Sequence, residues 1–136
     1  MAANRVSRFT AAEEQFLQRN EIGRLATISP DGIPHVVPVC HVYRDSTLWT
    51  AVDYETKKYR NILANNRVAL VVDVYSPNRG ILVQGRAEIV EKGPEFRQAY
   101  QIFYKKFGWV RADPWKEGEA PFIKIKPTHK VSWGLR

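Results

Sequence analysis

A chain of 136 residues has room for one ordinary domain and little beyond it. Hydrophobic residues make up 44% and aromatics 12%, enough for a real core, which excludes a disordered polymer. Lysine and arginine outnumber aspartate and glutamate by 21 to 14, so the net charge of +7 points to an anionic partner: a nucleic acid, an acidic membrane or a phosphorylated small molecule.

The longest cationic runs are Lys57-Lys58 and Lys105-Lys106, which places the charge on folded elements instead of a tail. Cys40 is the one cysteine, so neither a disulfide framework nor a CxxC redox or zinc motif can form within the chain. Met1 to Arg5 opens no apolar leader, and no stretch approaches the roughly 20 apolar residues of a membrane span. The expectation is a soluble cytoplasmic protein with one domain over residues 1–136.

Thr10 and Glu13 form a capping-box pattern, predicting a first helix to about Asn20, with Phe9 placed to pack back on it. Glu21 to Ser29 reads as a strand ending at Pro30-Asp31-Gly32, where Pro presets φ and Gly takes the positive one. Pro34 to Tyr43 is the second arm of that hairpin. Arg44 to Ser46 turns the chain into a third strand, Thr47 to Val52. Tyr59, Ile62 and Leu63 then follow helical spacing, with Thr56 as N-cap. Arg67 to Tyr75 is a strand whose Val68–Val72 run reads as buried on both faces. Ser76 to Asn78 is a turn. Ile81 to Val90 follows, with Gly85 marking a bulge or a close backbone approach. Pro94 opens a helix with Phe96, Ala99, Tyr100, Phe103 and Phe107 on one stripe, ended by Gly108. A Trp-containing loop leads to strands at Pro121 to Lys126 and Lys130 to Trp133. Roughly seven strands and three helices joined by tight turns predict a mainly β, antiparallel sheet, closed or nearly closed into a barrel with flanking helices.

Hydrolytic constellations are missing from the sequence, and so is a Walker-type phosphate loop. Cys40 sits mid-strand among valines, as a small core hydrophobe would. His35 and His41 share a strand face but stand about 20 Å apart, too far to hold one metal; no metal is expected. No acid/base pair can be assembled around Asp53 or Asp73, so no catalytic side chain is assigned. His41, Tyr54 and Trp109 are candidate substrate contacts, and Arg79 and Arg86 candidate anion contacts, each also explained by ordinary packing or solvation. The strongest local signal is the helix start itself. Lys57, Lys58 and Arg60 crowd its first turn, where cations are unfavourable by about 0.3–1 kcal/mol each. An anion seated on the free N–H groups removes that penalty, so the segment reads either as a phosphate socket or as a solvated basic helix end.

Taken in order, Gly23 to Gly32, Pro34 to Val39, Leu48 to Asp53, Lys57-Lys58, Arg60 to Val68, Val83 to Glu88 and Val131 to Trp133 resemble the pyridoxamine-phosphate-oxidase-like superfamily. The similarity runs to its short members classed as probable F-420-dependent enzymes. The resemblance implies a split β-barrel that dimerises, with FMN or F-420 bound at the subunit interface. It places His35, Val36, Val37, Pro38 and Val39 along the cofactor ring, Trp49, Thr50 and Ala51 in contact with the cofactor, and Trp133 nearby. Lys57 and Lys58, with Arg60, would hold the phosphate. The FMN oxidases carry Arg and Lys in the His35–Val39 strand, and Gln and Arg at the positions of Gly80 and Leu82. This chain also lacks their long C-terminal substrate segment. Vitamin B6 phosphate oxidation is therefore not expected, and the apolar strand leans towards F-420 or a loosely held FMN. Hydride transfer to a small, flat, unsaturated substrate is the activity implied. Alternatives are a non-catalytic FMN or haem carrier on the same barrel, and a nucleic-acid-binding barrel. The last is disfavoured because the lysines cluster at one helix start instead of tracking a groove.

Overall fold

The computed structural model describes residues 8–135. Met1 to Ser7 and Arg136 lie outside the described residues, and with them the N-terminal segment read above for a leader. The elements in order are α1 (Ala11–Arg19), β1 (Ile22–Ile28), β2 (Pro34–Cys40), β3 (Val42–Arg44), β4 (Thr47–Ala51), α2 (Lys57–Ala64), β5 (Arg67–Val74), β6 (Arg79–Val90), α3 (Gly93–Lys106), α4 (Gly108–Ala112) and β7 (Phe122–Trp133). The seven strands form one sheet in the order β2-β1-β5-β6-β7-β4-β3, every pairing antiparallel. It curls into a half-barrel, the split-barrel form expected. No helix among the described residues is long and apolar enough to cross a membrane.

Several local rules operate as the sequence states them. The Thr10 hydroxyl accepts from the Glu13 N–H at 3.1 Å, and the Glu13 carboxylate accepts from the Thr10 N–H at 2.9 Å. Phe9 is buried and packs on Tyr43, 5.2 Å between centroids. Gly32 takes φ +84° in a three-residue hairpin loop, closed by the Ser29 N–H on the Ile33 carbonyl. Gly85 sits at a register shift between β6 and β7, where a Cβ would stand 2.2 Å from the Lys126 carbonyl oxygen. Backbone approaches too closely there for any side chain.

Four expectations are corrected. The Pro34–Tyr43 strand breaks at His41, because the chain there leaves one edge of the sheet (β2) and enters the other (β3). That single residue, with the Thr50 hydroxyl donating to the Cys40 carbonyl at 2.8 Å, draws the two edges of the curl together. The two C-terminal strands are one: β7 runs through Pro127 against β6, and the bulge opposite Gly85 absorbs the irregularity. A fourth helix, α4, follows Phe107, where a loop was expected. Finally, the Val68–Val72 run is buried on one face only, since Ala69 and Val71 are half-buried on the outside of the curl.

Two clusters make the core. The concave side is filled by Leu25, Leu70, Val72, Ile81, Val83 and Ile125 together with Phe16 and Leu17 of α1 and Ile62 of α2. On the convex side α3 and α4 lay Phe96, Phe103, Phe107 and Val110 over Val42, Trp49 and Phe122. Each fully buried side chain of this size contributes about 1.5–3 kcal/mol. The helices α3 and α4 thereby cover Trp49 at the middle of β4, which carries residues of interest.

Candidate functional site

Alternation along β2 divides its five candidate residues. His35, Val37 and Val39 turn inward, Val39 being 8% exposed and Val37 packed on the concave core. Val36 and Pro38 face outward, Val36 at 60% exposure. The free edge of β2 is more selective than its side chains. Hydrogen-bonded pairing at Ser29–Ile33 and from the His41 N–H to the Glu21 carbonyl assigns the odd-numbered residues of β2 to β1. The even-numbered ones point away from the sheet. Two of these, Pro34 and Pro38, carry no N–H. Val36 therefore presents the lone backbone donor between them, flanked by carbonyls, on an edge that prolines protect from pairing with a stray strand.

On β4, Trp49 is buried against Phe122, its indole N–H donating to the Thr47 hydroxyl at 2.9 Å and the Lys124 ammonium 5.5 Å over its ring. Thr50 is buried and committed to the Cys40 carbonyl. Neither offers a side chain to a ligand from this position; Ala51, half-buried, opens onto a cleft of about 480 Å³. Lys58 lines the same cleft.

The α2 start has the features of an anion socket. Thr56 caps it, its hydroxyl accepting from the Tyr59 N–H at 3.4 Å, and the Arg60 N–H bonds the Thr56 carbonyl. The Lys57 and Lys58 N–H groups thus remain without a protein acceptor among the described residues. No acidic residue lies in the first turn. The three cations diverge, however. Lys57 leans towards Asp31, whose carboxyl is held below its usual value by the Ser29 hydroxyl first and by the Lys57 charge last. Lys58 turns to the cleft, and the Arg60 guanidinium folds back on the Glu55 carbonyl at 2.8 Å. Asn61 anchors the helix, donating to the buried Thr27 hydroxyl at 3.0 Å.

Trp133 is not brought to this place. It ends β7 opposite Gly80, with its indole N–H on Asn78 at 3.1 Å, and the ring fills the space a Cβ at Gly80 would occupy. Ala51 pairs with Phe122 at the other end of the same strand. Eleven steps of strand separate the two levels, at most about 35 Å along the chain.

The remaining candidates are mostly structural. His41 is fully buried, its Nε2–H donating to the Asn20 carbonyl at 2.6 Å, and burial chiefly lowers its pKa to about 4. Tyr54 donates to Glu91 at 2.7 Å, and burial followed by that carboxylate raises its pKa to about 12. The Arg79 guanidinium lies 5.8 Å over the Phe16 ring, and Arg86 reaches Asn66 at 3.4 Å. Trp109 is different: it is 45% exposed and lines the cleft with Trp115, a residue that nothing in the local sequence singles out. Burial raises the pKa of the adjoining Cys40 thiol against a hydrogen bond from Trp109.

A sequence profile of the pyridoxamine 5'-phosphate oxidase family matches residues 9–133. Among characterised proteins, the 5a,11a-dehydrotetracycline/5a,11a-dehydrooxytetracycline reductase of Streptomyces rimosus subsp. rimosus is 31% identical over an alignment of 136 residues, covering 93% of this chain and 84% of its own. Among solved structures, an F420 reductase superposes with a TM-score of 0.67 at 30% identity, over 87% of this chain and 94% of that one. The haem storage protein HutZ of Vibrio cholerae gives a TM-score of 0.81 at 16% identity, over 95% and 97%, which shows a common fold and no more. With the profile spanning nearly its whole length, the chain belongs to the pyridoxamine 5'-phosphate oxidase family.

Proposed function

We propose that this protein is a flavin- or deazaflavin-dependent oxidoreductase, holding FMN or F-420 by its phosphate at the start of α2. The observation that carries the reading is the unclaimed pair of N–H groups at Lys57 and Lys58, with their ammonium groups and no acid in the turn, beside a cleft of about 480 Å³. That size suits a small ring compound. The reductase relatives support redox chemistry.

When bound, the cofactor supplies hydride chemistry. The chain's own work is to bind, orient and exclude water. Lys57 and Lys58 neutralise the phosphate. The Val36 N–H and the carbonyls beside it offer hydrogen bonds to a polar ring edge laid along β2. The substrate is proposed to be small, flat and unsaturated.

A homodimer belongs to the same proposal. Pro38, Arg24, Val71, Leu82 and Val131 align in register across five strands on the outer face, and Val131 is 61% exposed. A second copy would cover this row and would bring its Trp133 towards the first copy's β2. Titration of the purified protein with FMN and with F-420, followed by absorbance and fluorescence, tests the site. Lys57→Ala/Lys58→Ala should weaken binding about tenfold to a hundredfold, the worth of one to two charge-assisted hydrogen bonds. Unchanged affinity would sink the socket. Saturable haem binding without flavin binding would favour the carrier.

A further inference from the structure

The cleft beside Lys58 has a wall and a rim that the phosphate socket does not use. Trp109 and Trp115 stand nearly parallel, 9° between planes and 6.1 Å between centroids. Trp115 is mounted firmly: its indole N–H donates to the Ala120 carbonyl at 3.1 Å, its main-chain N–H to the Tyr100 hydroxyl at 3.1 Å, and its ring meets Tyr100 edge-on. Trp109, on α4, leaves much of its ring open to the cleft. Around these indoles stand the carboxylates of Asp53, Asp113 and Glu119. In a chain with a net charge of +7, three acids converge here with one lysine. None of the four is in an ion pair among the described residues. Among the described residues Glu119 accepts only the Lys116 N–H.

We infer that this cleft selects a flat ring compound carrying a protonated amine, its ring against Trp109 and its ammonium among Asp53, Asp113 and Glu119. An indole face attracts a cation by about 0.5–2 kcal/mol, and carboxylates at the rim add Coulomb attraction that salt weakens. The inference deepens the function proposed above and rests on it in one respect. Once a cofactor phosphate engages Lys58, the three carboxylates have no counter-charge left in the cleft, and a cationic ligand is what restores balance. An anionic substrate would meet the rim as repulsion.

Calorimetric titration of the cofactor-saturated protein with 1-methylquinolinium, neutral quinoline at pH 8 and 2-naphthoate tests this, the three probes sharing a two-ring shape. The cation should bind about tenfold tighter than the other two, and that margin should shrink in 0.5 M salt. Asp53→Asn/Asp113→Asn removes two carboxylates that take no hydrogen bond among the described residues, so the fold has no reason to change. It should erase the preference while quinoline binding stays the same. Trp109→Ala should weaken all three probes. Equal affinity for cation and anion, tighter naphthoate, binding of none of the probes, or a preference that survives the double variant overturns the inference. The same titrations on protein without cofactor keep the two claims apart. A flavin that binds with no cation preference removes only this inference, whereas cation preference with no flavin or deazaflavin binding removes only the cofactor reading.

Discussion

Acidification tests the burial of His41, the residue that links the two edges of the sheet. Its Nε2–H is spent on the Asn20 carbonyl, and its Nδ1 is buried without a partner among the described residues. Protonation would place a charge in the core, with Lys106 adding repulsion, so the folded-state pKa falls to about 4 from 6.5. The unfolded chain therefore takes up the proton first as the pH drops. His41 contributes its full share above pH 6.5 and loses it progressively towards pH 4. With both pKa values in the linkage relation, stability at pH 5 should lie about 2 kcal/mol below that at pH 8. That is a large part of the 5–15 kcal/mol usual for a domain. Glu13 does not confuse the window. Burial opposes its ionisation, but Lys130, the Thr10 N–H and Ser132 outweigh it and lower its pKa, so its contribution fades only as the pH falls below its unfolded value of 4.5. Urea unfolding at pH 8 and pH 5, at one fixed protein concentration, should show the midpoint falling by roughly 1 M. His41→Gln can keep the bond to Asn20 and cannot titrate, so its two midpoints should nearly coincide. If the wild type holds its midpoint, or the variant loses as much, the assignment of the effect to His41 is wrong.

Gly85→Ala should lower the melting temperature by roughly 5 °C or more, because its Cβ would meet backbone at the β6–β7 bulge instead of a side chain that can swing away; an unchanged melting curve would mean that the bulge relaxes freely. Glu13→Ala strands the Lys130 ammonium, 13% exposed, without its carboxylate at 2.8 Å, and should cost about 3–5 kcal/mol in denaturant unfolding. Glu13→Ala/Lys130→Met should recover part of that loss, and strict additivity of the two substitutions would contradict the pairing.

The elements that the sequence made legible are those governed by local rules. Thr10 with Glu13, Thr56 before α2, and Gly32 after Pro30 each act within a few residues of themselves. The break at His41 has no such mark. The residue stands in a β-branched run, and what removes it from a strand is the crossing between opposite edges of a curled sheet, a property of the whole topology. The expected break between Lys126 and Lys130, where Pro127 stands, fails in the other direction. The missing N–H of Pro127 is tolerated beside a bulge whose room is provided forty-two residues earlier by Gly85. The site divides in the same way. Cations at a helix start conflict with the helix dipole, and that conflict is visible in sequence. The wall of Trp109 and Trp115 comes from the packing of α3 and α4 over the convex face, which no spacing rule announces.

The placing of Trp133 and Ala51 at opposite ends of β7 bears on the dimer proposed above. A half-barrel holds its strands in fixed register, so residues at opposite ends of β7 stay apart by up to about 35 Å of strand however the side chains turn. In the dimer proposed above, a ligand touching both the α2 socket and the indole at the far end would meet two copies of the chain. If the pairing is isologous, each copy supplies a socket to one site and a Trp133 to the other, and two equivalent sites follow by symmetry. Cofactor binding and association would then be linked: dilution that separates the copies should weaken binding, and saturating cofactor should hold them together. The proposed dimer would use the outer row from Pro38 to Val131, in which Arg24 is ion-paired to Asp73. Val71, in the run that the sequence reads as buried on both faces, is half-buried in this row, and a second copy seated there would cover it.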